Sequence, residues 1–534
     1  MRDITVSIMP YPEKVIMPIV SGVLLYSCGG NASTQSECVA DTTAIAETVI
    51  ELPEYVPDTV FPSAAQVTWC IDTLMPEVDG RIDSLTDDYT GASGIMTFRG
   101  NLMRNADYNG HISYTPGDIT VDWVYTTDED YTLTSHGRWG GGTGWTGQPL
   151  YIDWDMDGLA RLRQANLVDS EFSGKEIIVG SLSRKIYFID FISGRASRDA
   201  VPVGNPIKGT VSFDPSFNGN LYFGHGVPAE SPFGANLLDL YTDSITFTFG
   251  RDPKAWRGWG AYDSSPVRVG QFLIWPGENG SLYKWIVCPG SLKLYSVMRY
   301  RVNEFAPGME SSIAVWRNLG YVADNHGNII CVNLNTFEPR WHYSLHDDID
   351  ATPVLSEESG VPYLYVGCEV DRQGEGEARF VKLNALTGEE IWLNTLEACR
   401  VQVDEKHFDG GYYATALLGS GDCAHLVMLN CVLNTNEKRN GVFVAFNRKD
   451  GSEAYKVKLD SYAWSSPVSM QSDDGHTYII TADCIGNIYV IRGIDGEIMV
   501  KRKIGMNFES SPIVIGNNLI IGSRGNSIYK LTVK

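Results

Sequence analysis

Positive charge is scarce in this 534-residue chain: 42 basic residues stand against 65 acidic ones, a formal net charge of −23. Such a surface repels phosphate backbones and lacks a basic stripe, which excludes nucleic acid as a partner. It repels anionic lipid headgroups too, so attachment to a membrane has to be covalent. The ten cysteines include no C-x-x-C, no C-x-x-C-H and no adjacent pair. No haem-attachment site and no disulfide framework follow from that spacing; only Cys423 and Cys431, eight apart, suggest a local bridge. Histidine is sparse at nine, and H-E-x-x-H, a P-loop and G-x-S-x-G are all missing, which removes the common hydrolase and nucleotide-binding motifs. The apolar run at 15–26 falls short of the roughly 20 residues of a spanning helix.

What is present points to an all-β fold. Glycine (54) and tyrosine (27) are abundant, and 43% of the residues are hydrophobic, a composition of short strands and tight turns around a large core. A small-residue step recurs: Gly147-Gln148-Pro149, Gly209-Thr210, Ser264-Ser265-Pro266, Ser311-Ser312-Ile313, Ala351-Thr352-Pro353, Ala414-Thr415-Ala416, Ser465-Ser466-Pro467 and Ser510-Ser511-Pro512. Consecutive copies end 40 to 63 residues apart, the period of a propeller blade. The copies predict a single β-propeller of about eight four-stranded blades over 93–534. Hairpin pairs such as Phe272-Leu273-Ile274-Trp275 with Ser281-Leu282-Tyr283 supply the inner strands. A turn signal closes several repeats, as in Asn384/Gly388/Trp392 and Asn447/Gly451/Tyr455; the glycine gives a positive φ and the bulky residue fills the wedge between blades. The last repeat lacks a fourth strand while 120–125 has no repeat of its own, so the ring is expected to close by pairing the two.

The residues preceding the propeller divide into a signal peptide at 1–27 and an acidic, proline-bearing tether at 28–92. Leu25-Tyr26-Ser27-Cys28 resembles the lipobox of bacterial lipoproteins, which implies lipidation at Cys28 and a place in the cell envelope, at the outer membrane. The Asn384-to-Trp392 stretch, the Ser-Ser-Pro steps and the Thr97-Phe98-Arg99-Gly100-Asn101 opening resemble the quinoprotein-like propeller superfamily. That superfamily includes quinone-dependent alcohol dehydrogenases and the propeller lipoprotein of outer-membrane assembly. The resemblance implies a fold and allows three functions: ligand binding without catalysis, a dehydrogenase using pyrroloquinoline quinone or a metal, and a scaffold for envelope proteins. The adjacent cysteines expected of such a dehydrogenase are missing, and its calcium-binding Glu and Asn and catalytic Asp do not map onto this chain.

Loops entering the first strand of a blade and turns between the second and third open on one face. Those positions hold Asp263, Glu278, Asn279, Glu310, Asp324, Asn325, Asp350 and Glu369, an acidic sector bordered by Trp145, Trp259 and Trp464. Oxygen donors at that density suit calcium, and carboxylates and amides beside indole faces suit a glycan. Asp residues in hairpin turns also cap backbone amides without any ligand. The sector is therefore expected to bind a glycan, a cation or an envelope protein.

Overall fold

The computed structural model describes residue 56 and residues 58–106, 110–134, 136–145, 147–372, 375–403, 406–435 and 439–534. The signal segment and Cys28 lie outside them. Eight antiparallel sheets follow one another as the blades of a propeller. Blade 1 holds Leu150–Asp153, Lys175–Gly180, Lys185–Asp190 and Val201–Pro202, with the helix Met156–Gln164 inserted after its first strand. Blades 2 to 7 span 212–249, 267–302, 314–344, 354–399, 417–458 and 468–503. Blade 8 holds Ile513–Ile515, Asn518–Ser523 and Ser527–Val533, and its fourth strand is Ile119–Thr126, paired antiparallel to Ser527–Val533. The ring closes as the sequence predicts, and Ser527–Val533 is left with no unpaired edge at the seam.

Two repeated devices explain the sequence signals. The first lies at the hub. In six of the eight small-residue steps the middle residue's N–H donates to the hydroxyl of its counterpart in the next blade: Gln148 to Thr210 (2.9 Å), Ser265 to Ser312 (2.8 Å), Ser312 to Thr352 (3.0 Å), Thr352 to Thr415 (3.2 Å), Thr415 to Ser466 (3.0 Å) and Ser466 to Ser511 (3.0 Å). Ser511 N–H completes the turn by donating to the Gly147 carbonyl at 2.8 Å. Small hydroxylated residues recur because a buried N–H at a crowded hub needs an acceptor on a short side chain.

The second device lies between blades. Trp341 donates its indole N–H to the Ala385 carbonyl (3.0 Å) and Trp392 to that of Arg448 (3.0 Å). Each ring lies flat against the turn glycine of the following blade: a Cβ on Gly388 or Gly451 would meet it at 2.7 Å. Both glycines have positive φ, 74° and 73°, so conformation and closeness together select glycine.

The opening segment plugs the hub. Arg99 and Arg104, at most 1% exposed, donate to carbonyls of four blades: Arg99 to Pro467 and Ala416, Arg104 to Ile313 and Ser265. The guanidinium supplies the number of donors needed to join several blades from one point.

The stretch expected to be a tether is, over its described part, built into the propeller. Val67–Thr73 forms a fifth strand on blade 3, in register with the twelve-residue strand Ser291–Val302. Ile82 N–H donates to Asn335 Oδ1 (3.0 Å), and Tyr89 is buried with its hydroxyl accepting from Arg268 N–H (2.9 Å). A blade edge of that length would otherwise present unpaired backbone groups. Cys423 and Cys431 are both free thiols, so the suggested bridge is not formed.

Candidate functional site

The hydroxyl ladder fixes a common register, and three positions before the proline site each of blades 2 to 8 has one residue at the same loop level. Read in that register the positions are Lys208, Asp263, Glu310, Asp350, Tyr413, Trp464 and Glu509 in blades 2 to 8. Four are carboxylates, two aromatic and one is basic. A narrow cleft of about 20 Å³ opens among them, lined by Phe98, Trp145, Asp263, Glu310, Asp350 and the hub residues.

Two carboxylate triads stand at the cleft. In the first, Asp263, Glu278 and Glu310 bring one oxygen each within 4.8 Å of one another. Trp259 donates its indole N–H to Glu278 Oε2 (2.9 Å), and Trp145 donates to Glu310 Oε2 (3.2 Å). Lys208 ion-pairs with Asp263 and, at 3.3 Å, with Glu310, and its ammonium lies 4.3 Å from the Trp145 ring centroid. Glu278 Oε1 and Asp263 Oδ1 are buried without a hydrogen-bond partner. Burial pushes the Glu278 carboxyl well above the usual carboxylate range, and Glu310 and Asp263 push it in the same direction. Burial works against the Lys208 ammonium, yet Asp263, Glu310 and Glu278 hold its pKa well above the ordinary value.

The second triad is Asp348, Asp350 and Glu369, again with oxygens within 4.8 Å. Ion pairs nearby go from Lys208 to Asp263 and Glu310 and from Arg400 to Asp371 and Asp409. Among the described residues none reaches Asp348, Asp350 or Glu369. Glu369 is 4% exposed and its Oε1 has no hydrogen-bond partner; Asp348 Oδ1 has none either. All three carboxyls are raised well above their ordinary values, first by burial; Glu310 and Asp371 then add to the shift of Asp348, Glu310 and Asp348 to that of Asp350, and Asp350 and Asp348 to that of Glu369, while Arg372 opposes it at Asp348 and Lys208 at Asp350. A buried carboxylate beside two half-buried ones, with no ion-pairing base among the described residues, is unfavourable as an anion, and the cluster relieves that by taking protons or a cation.

The remaining sequence candidates separate. Asp324 is fully buried and spent on structure: its carboxylate accepts from His326 N–H (2.9 Å), Asn328 N–H (3.0 Å), Asn328 Nδ2 and the Tyr300 hydroxyl (2.9 Å). Burial raises its pKa to about 6. Asn325 is tied to Gly308 by a reciprocal backbone and side-chain pair at 2.9 Å each. Asn279 donates to the Tyr283 hydroxyl (2.8 Å), and its buried Oδ1 has no hydrogen-bond partner. Trp145 and Trp464 meet edge to face at 5.7 Å, while Trp259 packs apart from them against Phe233. One face of Trp464 is stacked on Tyr413 at 4.8 Å and one face of Trp145 lies under Lys208, so neither indole keeps both faces free for a sugar ring.

The sequence reading missed Lys208, Asp348 and Tyr413. Ending the second step at Thr210 placed it one residue out of register; with Val211 at the proline site, Lys208 falls level with Asp263. Tyr413 is in register but carries no charge, and Asp348 lies two residues before the register position.

No family model matches the sequence, and no curated protein matches it. Solved structures do match in shape. A europium-containing methanol dehydrogenase superposes over 82% of this chain and 98% of its own, with a TM-score of 0.56 at 11% identity. The quinohemoprotein alcohol dehydrogenase of Pseudomonas putida HK5 covers 85% of this chain and 83% of its own, with a TM-score of 0.56 at 11% identity. That of Comamonas testosteroni covers 83% and 80%, with a TM-score of 0.55 at 12% identity. At such identities the likeness concerns architecture, and on that ground the chain has the eight-bladed fold of the quinoprotein-like propellers.

Proposed function

We propose that this protein is a cell-envelope propeller that binds a hard divalent cation, calcium by its donor chemistry, at Asp348, Asp350 and Glu369, without itself catalysing a reaction. The observation that carries the reading is the second triad: three clustered carboxylates, no ion-pairing base, and a buried Glu369 oxygen with no partner. An all-oxygen set of up to six donor atoms matches calcium, which takes six to eight. The lipobox resemblance around Cys28 supports an extracytoplasmic setting, where free calcium is available to a site of this kind.

Pyrroloquinoline quinone fits these residues poorly. The cleft offers about 20 Å³, room for about one water-sized occupant. Lys208 already covers the Trp145 ring on which a planar quinone would stack. No step of dehydrogenase chemistry is therefore assigned to the chain.

Isothermal titration of the chelator-treated protein with calcium tests the reading. One saturable equivalent is expected, lost in both Glu369→Gln and Asp350→Asn variants that keep the wild-type circular dichroism spectrum. Absence of calcium uptake would overturn it, as would saturable binding of pyrroloquinoline quinone.

A further inference from the structure

We infer that the first triad, Asp263, Glu278 and Glu310, is a second cation seat already occupied by the protein's own Lys208, and that this residue limits the cleft to one bound ion. The inference rests on the cation reading above and adds a residue that sets its stoichiometry.

The two triads share a geometry and differ in one respect. Each brings three carboxylate oxygens within 4.8 Å, and each keeps buried oxygens without hydrogen-bond partners, Glu278 Oε1 in the first and Glu369 Oε1 in the second. Glu278 and Glu369 are only 3% and 4% exposed. Among the described residues only the first triad has a base at ion-pairing distance. Lys208 reaches Asp263 and Glu310 together and is 8% exposed, so its charge is desolvated and acts at close range.

The fold makes room for that side chain. Its methylene stem runs past Gly226, in the Gly224-His225-Gly226 turn of blade 2, where an added Cβ would lie 2.5 Å from Lys208 Cδ. The Trp145 ring closes over the ammonium at 4.3 Å, a cation–π contact that adds to the two ion pairs. Lys208 also occupies the register position that carries a carboxylate in blades 3, 4, 5 and 8. A tethered ammonium satisfies two of the three carboxylates with no loss of free ion from solution, and a divalent ion entering there would have to expel it.

The chemistry of the vacated seat follows from its donors. With Lys208 replaced by an uncharged residue, the triad would present three carboxylates, an oxygen set for a second hard cation.

Counting bound ions tests this. The chelator-treated protein and its Lys208→Met and Lys208→Arg variants are titrated with calcium and separately with terbium(III), whose emission is excited through indole rings and would report an ion close to Trp145 and Trp259. One equivalent is expected in the wild type and in Lys208→Arg. Two are expected in Lys208→Met, the second lost again in Lys208→Met/Glu278→Gln. If Lys208→Met fails to fold, Lys208→Gln gives the same count. One equivalent in both wild type and Lys208→Met overturns the inference and leaves the cation reading standing; two in the wild type do the same. None in the wild type with one in Lys208→Met upholds the seat assigned here while removing the second triad as a site. None in either removes both.

Discussion

Asp348, Asp350 and Glu369 hold protons more tightly in the folded chain than they would unfolded, because burial and the carboxylates around them, Glu310 among them for both aspartates, raise their pKa values. The linkage has a definite sign. A folded state that binds more protons than the unfolded one loses stability as pH rises above the unfolded carboxyl range near pH 4. With chelator present, the melting temperature is expected to fall as pH is raised from about 5 to about 8, each unit of unrelieved shift costing about 1.4 kcal/mol per group. Calcium should flatten that decline, since ligand carboxylates must be deprotonated and binding favours the same form. A melting temperature independent of pH in chelator would show that these carboxyls are not strained. Asp324, raised to about 6 by burial, contributes with the same sign, but its carboxylate is already taken by His326, Asn328 and Tyr300, so calcium should remove the slope only in part. Asp324 also shows why single residues were hard to read. An Asp in a hairpin turn has the same letter whether it caps four donors or faces a cleft, and only the positions of Asn328 and Tyr300 decide. Asp263, Glu310 and Asp350 were legible because a periodic step fixed their level; Lys208 was not, because one degenerate copy shifted the register by a residue.

At the scale of strands and turns, the hub ladder makes each blade's inner end dependent on the next. Ser466 accepts from Thr415 N–H and donates its own N–H to Ser511, both at 3.0 Å. Ser466→Ala leaves a buried N–H unsatisfied and is expected to destabilise the protein by about 1–3 kcal/mol, read from the midpoint of urea unfolding, with calcium uptake unchanged. An unaltered midpoint would mean that the ladder contributes little. The eight blades, the hairpins and the Trp-on-glycine seams were all readable in the sequence, since each is written several times with a fixed spacing. Val67–Thr73 was not. It is written once, carries Asp72 and lies in an acidic stretch, and its partner is a strand more than two hundred residues away. Periodicity finds what repeats and overlooks a strand that is added singly.

The whole molecule combines a net charge of −23 with a ring that has no open seam. That charge disfavours adsorption to an anionic membrane, so residence at a bilayer depends on the anchor implied at Cys28. Cys28→Ser is expected to abolish labelling by a palmitate analogue in cells and to move the protein from the membrane pellet to the soluble fraction. Retention in the pellet without the label would point to a protein partner as the tether.

Two joints of the ring depart from the N–H-to-hydroxyl pattern: blade 8 reaches blade 1 through the Gly147 carbonyl, and blades 2 and 3 are joined without such a bond among the described residues. Between blades 2 and 3, among the described residues, no N–H of the Gly209-Thr210 step donates to the Ser265 hydroxyl, which the opening segment takes instead at Thr97 and Phe98. At the cleft, the Lys208–Asp263 ion pair spans this joint. Ion pairs also join other blades farther from the hub, as Arg198–Asp243 and Arg448–Glu358 do, but anything that competes for Asp263 acts as a wedge between blades 2 and 3. Occupancy of the cleft thereby has a mechanical address, and strain from a displaced ammonium would spread outward along blades 2 and 3 while the other six stay clamped.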